Sequence, residues 1–257
     1  MTGRVVPVGD LPDSGAVSRD LPLPASALAV GAHPDDIEFG CGGTLAKWAA
    51  GGCRIHHLVL TDGSKGTWLG EDDTSLLVAT RQDEQRAAAR ILGGGEVDFL
   101  GWPDGELEAG MLERRQVCEV IRRVRPTVVL GHDPWRRYRL HPDHRHAGWL
   151  AVDAVVAARD PKFFPDLGMP AHRPEVVLLW EADEPNHVEE VGAAVETKLA
   201  ALMAHRSQYR STMGFEDGDS DGAGAARFRQ RVVQQLAAHG SLTGVDAGEA
   251  FHLIGDV

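Results

Sequence analysis

The sequence contains little cysteine, and its cysteines are not spaced for a structural metal site or a redox pair. Cys41, Cys53 and Cys118 form no Cys-x-x-Cys pair and leave an odd number. A disulfide framework and a structural zinc knuckle are therefore not indicated. A reducing cytoplasm is the simplest location for such a chain.

The sequence also lacks an excess of basic charge. Its 26 Lys and Arg residues are outnumbered by 38 Asp and Glu residues, which gives a formal net charge of -12 at pH 7. Nucleic acids and anionic membranes both require a net basic face, so neither is expected as a partner. One local basic patch is interpreted either as a solvated loop or as a counter-charge for an acidic site. Its members are Arg136, Arg137, Arg139, Arg145 and His146.

No apolar run approaches the length of a membrane span, and the N-terminal segment does not resemble a signal peptide. Residues 1–24 contain four prolines and several acidic residues but no continuous apolar stretch. Because proline disfavours helix, we expect residues 1–25 to form an extended N-terminal arm. Val5, Val6 and Val8 of this arm can still pack on a sheet edge.

Along the rest of the chain, apolar stretches with strand character alternate with amphipathic stretches. Strands are predicted at residues 27–31, 54–61, 97–100, 127–130 and 175–180, and the final segment, residues 249–254, is expected to close the domain. Helices are predicted at residues 39–50, 80–92, 112–124, 144–158, 188–203 and 225–238. Four successive pairs of strand and helix favour an α/β fold with a mostly parallel sheet and helices on both faces. We find no internal repeat and no second core, so we expect one domain over residues 26–257.

A histidine and two aspartates occupy the turn after the first core strand. His33, Asp35 and Asp36 follow the apolar residues 27–30, at a strand end where open α/β sheets bind ligands. A catalytic zinc typically takes three ligands from His, Asp or Glu and keeps one position open. His33 and Asp36 are three residues apart, so one turn can bring both side chains to a point. A third ligand must then come from elsewhere.

A second stretch of the same kind lies between a predicted strand and a predicted helix. It contains His141, Asp143 and His144. Parallel strands deliver both junctions to the same edge of the sheet, so a site with two histidines and one aspartate is geometrically natural. For either stretch alone, an ordinary loop histidine and an aspartate that caps a helix are an equally good interpretation. Two such stretches at one sheet edge argue against coincidence.

Together these motifs resemble the PIG-L/LmbE family of zinc-dependent deacetylases, which act mainly on N-acetylglucosamine conjugates. The resemblance covers roughly residues 27 to 210, and the paired motifs in this order are specific. The matching segments are Ala32-His-Pro-Asp-Asp36, Gly42-Gly-Thr44, Arg81-Gln-Asp-Glu84, Leu100-Gly-Trp-Pro-Asp-Gly105, His141-Pro-Asp-His144 and His205-Arg-Ser-Gln208. The resemblance implies a Rossmann-like sheet, which agrees with the predicted architecture. It also implies that a homo-oligomer can form.

The resemblance assigns a role to each residue of the two motifs. It implies His33, Asp36 and His144 as zinc ligands, and Asp35 as a general base that does not bind the metal. His141 would polarise or protonate at the tetrahedral intermediate, and Asp143 would orient His141. Arg81 and Asp104 fall where the family holds sugar hydroxyls. Fe²⁺ or Co²⁺ can occupy a site of two histidines and one aspartate as well as Zn²⁺.

The expected function is removal of the acetyl group from a small-molecule N-acetylglucosamine-type conjugate by zinc-activated water, with Asp35 as the base. No nucleophilic side chain is needed, and the sequence has no Ser or Cys elbow motif to supply one. One departure concerns the loop after the second strand, where many members carry Thr-x-Gly-Glu and this chain has Thr61-Asp-Gly-Ser-Lys-Gly66. Lys65 in this loop indicates a different aglycone or acyl partner.

Two alternatives stay open from the sequence. The first is a zinc amidase that cleaves a larger thiol-sugar conjugate. The second is a non-catalytic Rossmann-type module that binds a small molecule, with residues 40–43 as an anion cradle. That module would leave Asp35 and Asp36 facing a phosphate, which is electrostatically unfavourable.

Overall fold

The computed structural model describes residues 16–68, 74–216, 218 and 222–257. Residues 1–15 of the expected N-terminal arm, including Val5, Val6 and Val8, lie outside this described part. The end of the arm is held to the sheet by a two-residue strand, Ser18–Arg19. No helix in the described ranges has both the length and the apolar character needed to cross a membrane.

One sheet with mostly parallel strands forms the centre of the molecule, as predicted. Its strands are β1 (Ser18–Arg19), β2 (Ser26–Gly31), β3 (Arg54–Thr61), β4 (Glu96–Trp102), β5 (Val128–His132), β6 (Val176–Trp180), β7 (His187–Glu190) and β8 (Gly248–Gly255). They lie side by side in the order β1-β7-β8-β6-β5-β2-β3-β4. Only β8 runs antiparallel to its neighbours, β6 and β7.

Helices cover both faces of this sheet. They are α1 (Asp36–Ala50), α2 (Thr74–Ile91), α3 (Met111–Val124), α4 (Pro142–Arg159), α5 (Val195–Leu202) and α6 (Ala223–Ser241). On one face, buried side chains of α1, α2, α5 and α6 pack together, including Leu45 and Phe228. On the other face, α3 and α4 contribute Ile121 and Leu150. The core therefore has two layers, one on each side of the sheet.

The order of the strands creates a crevice at the carboxyl ends of β2 and β5. These two strands are neighbours, yet the chain leaves β2 towards β3 and leaves β5 towards β6, on opposite sides. Helices that follow them therefore diverge, and ligands in open α/β sheets bind in this opening. Both histidine-rich motifs lie next to it.

The prediction of a helix at residues 188–203 was wrong for the first half of that range. Residues His187–Glu190 form strand β7, and α5 covers only Val195–Leu202. Two adjacent glutamates in this segment favour an exposed helix face in sequence terms. In the structure, however, the Glu189 carboxylate is buried and paired with Lys47 and His187, so a strand can accommodate it. Helix α2 also begins six residues earlier than predicted, at Thr74.

Candidate metal centre and active site

The two histidine motifs meet at the crevice between β2 and β5. Local chain geometry explains this, because each motif occupies a turn between a strand end and a helix N-terminus. His33 and Asp35 lie in the turn after β2, Asp36 opens α1, Asp104 follows β4, and His141, Asp143 and His144 lie at the start of α4. The structure thus brings all the predicted catalytic and metal-binding residues to one edge of the sheet.

Three donor groups converge at the centre of this cluster. His33 Nδ1 lies 3.2 Å from His144 Nε2 and 3.4 Å from Asp36 Oδ2, and His144 Nε2 lies 3.2 Å from Asp36 Oδ1. Ligand atoms about 2.0–2.1 Å from a tetrahedral zinc are about 3.3 Å apart, so the spacing fits a small divalent cation. The chemistry of the donors, two imidazole nitrogens and one carboxylate, fits as well.

The opposite side of the His33 ring is held by two carboxylates. His33 Nε2 lies 3.1 Å from both Asp104 Oδ1 and Asp143 Oδ2. Carboxylates only accept, so these contacts place a proton on Nε2 and leave Nδ1 to face the cluster centre. Burial alone would lower the pKa of His33, but hydrogen bonds with Asp104, Asp143 and Asp36 raise it well above its ordinary value.

The hydrogen bonds of Asp143 differ from the expected ones. The resemblance implied that Asp143 orients His141. In the structure, the Asp143 carboxylate instead contacts His33 and accepts from the backbone N–H groups of Gly105 and Leu107. Helix α4 thereby fixes His33 rather than its own first histidine. His141 is exposed beside these rings, with its centroid 4.6 Å from that of His33.

Asp35 has a strained backbone and a buried carboxylate. Its φ is 109°, in the left-handed region that non-glycine residues rarely adopt. Its side chain is almost fully buried, and burial raises the pKa of Asp35 to about 6, although the nearby Arg81 guanidinium opposes the rise. A carboxyl group that exchanges protons near neutral pH is suited to acid–base chemistry.

Arg81 and Asp104 were predicted to hold sugar hydroxyls, but the structure commits both to internal contacts. The Arg81 side chain is buried and donates to Gly63 O at 2.8 Å and to Pro34 O at 2.6 Å. Asp104 contacts His33 and accepts from the backbone N–H of Lys65 at 3.0 Å. Both residues lie at the site, and their described contacts hold the turn after β2 and the loop after β3 in place.

His132, at the end of β5, is a site residue that sequence reasoning did not assign. The indole Nε1 of Trp180 donates to His132 Nδ1 at 2.9 Å, and an indole nitrogen can only donate. Neutral His132 therefore carries its proton on Nε2, which lies 3.2 Å from Asp36 Oδ2. Although His132 could form a metal-binding group with Asp36 and His144, this proton makes it an orienting partner of Asp36. Its position at a strand end was the available signal.

An arginine and a glutamate form an outer layer around these histidines. Arg139 Nη2 lies 2.6 Å from His144 Nδ1 and 3.1 Å from His132 Nδ1, and it pairs with Glu181. A guanidinium only donates, so the contact with His144 requires an unprotonated Nδ1. Glu181 is a second residue that the sequence motifs did not identify.

The loops that follow β3 (residues 62–68) and β5 (residues 133–141), called here the mouth of the crevice, combine neutralised charge with exposed apolar side chains. Arg136 pairs with Glu181, Arg137 with Asp183, and Lys65 with Glu106. The basic patch is thus largely a counter-charge for acidic residues of the protein itself. Large apolar side chains are exposed on the two flanking loops. They are Trp68, Trp135, Tyr138 and Leu140, with exposed fractions of 80%, 53%, 92% and 90%.

The glycine-rich segment at residues 40–43 does not offer a free anion cradle. Helix α1 is interrupted at Cys41, and the N–H groups of Gly43 and Thr44 beyond the break donate to the Glu249 carboxylate at 2.8 and 2.7 Å. A Cβ on Gly40 would lie 2.5 Å from the Trp180 ring. The glycines allow close packing, and a carboxylate of β8 occupies the position that a phosphate would need.

The Glu249 carboxylate caps the part of α1 that follows Cys41, and it forms a buried ion pair with Lys198. This ion pair gives a stability prediction. Lys198 Nζ donates to Glu249 Oε1 at 2.6 Å and to Phe39 O at 2.7 Å, and both charged groups are buried. We expect Lys198→Met to lower the free energy of unfolding by about 3–5 kcal/mol, because it leaves a buried carboxylate without its cation. Denaturant unfolding measures this change.

The matched control for Lys198→Met is Arg229→Met. Arg229 pairs with Glu196 on the surface, where both side chains are at least half exposed. Such a pair contributes about 0–1 kcal/mol, so the control should unfold close to the unmodified protein. Equal unfolding free energies for the two variants would show that the buried pair does not stabilise α1.

Comparison with known proteins identifies relatives that are similar in sequence and in fold. The family model described as PIG-L: GlcNAc-PI de-N-acetylase matches residues 28–155. Diacetylchitobiose deacetylase of Thermococcus kodakarensis is 39% identical over 185 residues, which are 71% of this chain and 69% of that protein. A 1D-myo-inositol 2-acetamido-2-deoxy-alpha-D-glucopyranoside deacetylase of Streptomyces scabiei is 34% identical over 63% of this chain and 58% of that protein.

The similarity extends over most of the chain in three dimensions. The structure of N,N'-diacetylchitobiose deacetylase from Pyrococcus horikoshii superposes with a TM-score of 0.81 and 29% identity. The superposition covers 90% of this chain and 84% of the other. The Thermococcus kodakarensis relative is 39% identical, and this chain covers more than two thirds of that protein's length. Both histidine motifs also lie at one edge of the sheet. This chain therefore belongs to the PIG-L family of deacetylases.

Proposed function

We propose that this chain is a metal-dependent N-deacetylase that hydrolyses the acetamido group of a neutral N-acetylglucosamine conjugate. The observation that carries the proposal is the convergence of His33, Asp36 and His144 within 3.4 Å of one another. Asp35, next to this cluster in the chain, supplies a buried carboxylate. The three relatives named above, all of them named as deacetylases of acetylated sugars, support the same reaction.

His33, Asp36 and His144 would hold the metal, and we propose Zn²⁺. Two imidazoles and a carboxylate suit zinc, although Fe²⁺ and Co²⁺ accept the same ligands. When bound, the metal would lower the pKa of a coordinated water to about 7 and polarise the acetyl carbonyl. His144 would then carry its proton on Nδ1, so Arg139 would have to direct its donor to Glu181, with which it already pairs.

The remaining residues would move protons and fix the ligands. Asp35 would accept a proton from the attacking water as its oxygen bonds to the acetyl carbon. His141 would stabilise the negative charge that develops on the carbonyl oxygen. The proton is returned to the amide nitrogen as the carbon–nitrogen bond breaks, giving acetate and a free amino sugar. His132 and Asp143 would hold Asp36 and His33 in the orientations described above.

The mouth of the crevice supports a neutral substrate. Its cations Arg136, Arg137 and Lys65 are each paired with a carboxylate of the chain, so they offer little to a phosphate or a carboxylate on a substrate. The exposed Trp68 and Trp135 rings offer apolar faces of the kind that pack on sugar rings. A neutral saccharide matches these surfaces better than an anionic aglycone.

Acetate release from a panel of substrates tests this proposal. The panel compares N-acetylglucosamine and N,N'-diacetylchitobiose with an N-acetylglucosaminyl malate, which carries two carboxylates. We expect kcat/KM for the better neutral substrate to exceed that for the malate conjugate by about tenfold or more, a difference of about 1.4 kcal/mol. A preference for the malate conjugate would refute the neutral class.

Two other outcomes of the panel would change the proposal. If no acetate is released from any compound by metal-loaded protein, N-deacetylation of these sugars is wrong. Cleavage of a different amide in a thiol-sugar conjugate would then establish the larger-conjugate amidase as the function.

A further inference from the structure

The strained turn at Asp35 is held from outside by two side chains of helix α2. Arg81 Nη2 donates to the carbonyl oxygen of Pro34 at 2.6 Å, and the backbone N–H of Asp35 donates to Gln85 Oε1 at 2.9 Å. These two backbone groups are opposite ends of the same peptide bond. Arg81 and Gln85 are four residues apart, so they project from the same face of the helix. The plane of the Pro34–Asp35 peptide is therefore fixed at both ends.

The orientation of the Gln85 amide is itself determined by a buried carboxylate. Gln85 Nε2 donates to Glu38 Oε1 at 2.8 Å, while Glu38 Oε2 lies 3.1 Å from His205 Nε2. Because Glu38 accepts on that side, the amide must present its oxygen to Asp35. All three side chains are fully buried. The chain of contacts runs from the His205 motif, through Glu38 of the first helix, to the backbone of Asp35.

Backbone strain explains why the two hydrogen bonds from Arg81 and Gln85, called here the clamp, are needed. A non-glycine residue in a sparsely populated φ/ψ region is destabilising, and it persists only where the surroundings enforce it. At φ 109° the Cα–Cβ bond of Asp35 leaves the backbone in a different direction from the one that a relaxed φ would give it. Relaxation of the turn would move this carboxylate relative to Asp36, the next residue.

We propose that Gln85 is a positioning residue, which holds the Pro34–Asp35 peptide so that the Asp35 carboxylate faces the reacting water. Arg81 holds the other end of the same peptide. The inference rests on the proposed role of Asp35 as the base. It gives Arg81 and Gln85 a role in holding the motif turn from the side of helix α2.

Replacement of Gln85 by methionine tests the clamp, because methionine has a similar length but accepts no strong hydrogen bond. We expect Gln85→Met to lower kcat about 10–100-fold, since a displacement of about 1 Å of a reacting group can cost about 100-fold. KM should change by less than about threefold, and metal content should stay at one ion per chain. Gln82→Met, on the same helix and away from the turn, is the control and should keep the original kcat.

A double variant separates positioning from a general structural role. In an Asp35→Asn background, Gln85→Met should reduce the residual kcat by less than about twofold, because the group that it positions is already lost. An equal loss in both backgrounds would overturn the inference while leaving the proposed base intact. If Asp35→Asn alone leaves kcat unchanged, the proposed role of Asp35 as the base fails, and the inference fails with it.

A second substitution keeps the inference testable if Gln85→Met does not fold. Glu38→Gln preserves the shape of the side chain but lets it donate to Gln85, so the Gln85 amide is no longer held in one orientation. We expect kcat to fall at least threefold with metal content unchanged. An unchanged kcat in this folded variant would show that the clamp does not act on Asp35.

Discussion

Asp35→Asn is expected to lower kcat about 10²–10⁴-fold while the protein keeps one metal ion per chain. Loss of a general base typically has this effect, since asparagine cannot take a proton from the attacking water. Asparagine is the suitable replacement because it tolerates a positive φ better than alanine does, so the strained turn can form. Acetate release gives kcat, and elemental analysis gives the metal content.

A suitable control for this substitution is Asp160→Asn. Asp160 lies just after the C-terminal end of α4 and accepts from the backbone N–H of Lys162. It is at the opposite end of the helix from His144, and its variant should keep full activity. If Asp35→Asn retained kcat within a few-fold, another group would have to be the base. If it lost its metal, Asp35 would be a ligand.

Removal of the metal is expected to abolish turnover, by about 10³-fold or more, and restored Zn²⁺ should recover it. Metal ions contribute several kcal/mol to such reactions, and each 1.36 kcal/mol changes the rate tenfold. His144→Ala should behave like the chelated protein and should not be rescued by added zinc, because one of three ligands is absent. Activity and bound metal are measured on the same samples.

His146→Ala is the matched control for the metal experiment. His146 lies two residues further along α4, and its Nδ1 contacts the carbonyl oxygen of Leu107 instead of the cluster. This variant should keep its metal and its zinc-restored activity. Stoichiometric metal in His144→Ala would contradict the proposed ligand set, and full activity after chelation would contradict metal dependence altogether.

The sequence was sufficient to predict the sheet and the meeting of the two motifs, because both rest on local signals. A strand, a turn with His-Pro-Asp and a helix are contiguous, and parallel strands bring such turns to one edge. The partners of these residues could not be predicted in the same way. His132 has no motif around it, and its role follows only from the indole of Trp180, 48 residues away.

The roles of α2 residues show the same limit. Arg81 belongs to a family motif, yet its contacts with Pro34 and Gly63 depend on how the helix packs against the motif turn. Gln85 sits four residues later with no signal beyond helical spacing. Similarly, the sequence around Glu189 favours a helix. The partners that allow Glu189 to be buried in a strand, His187 and Lys47, are apparent only in the folded sheet.

The cap on helix α1 has a consequence for the order of folding. Glu249 and the N–H of Gly43 are separated by 206 residues, so this hydrogen bond can form only after β8 has been synthesised. Contacts this distant in sequence slow folding, since loop closure must precede them. We therefore expect the part of α1 that follows Cys41 to lack these hydrogen bonds until β8 inserts between β6 and β7.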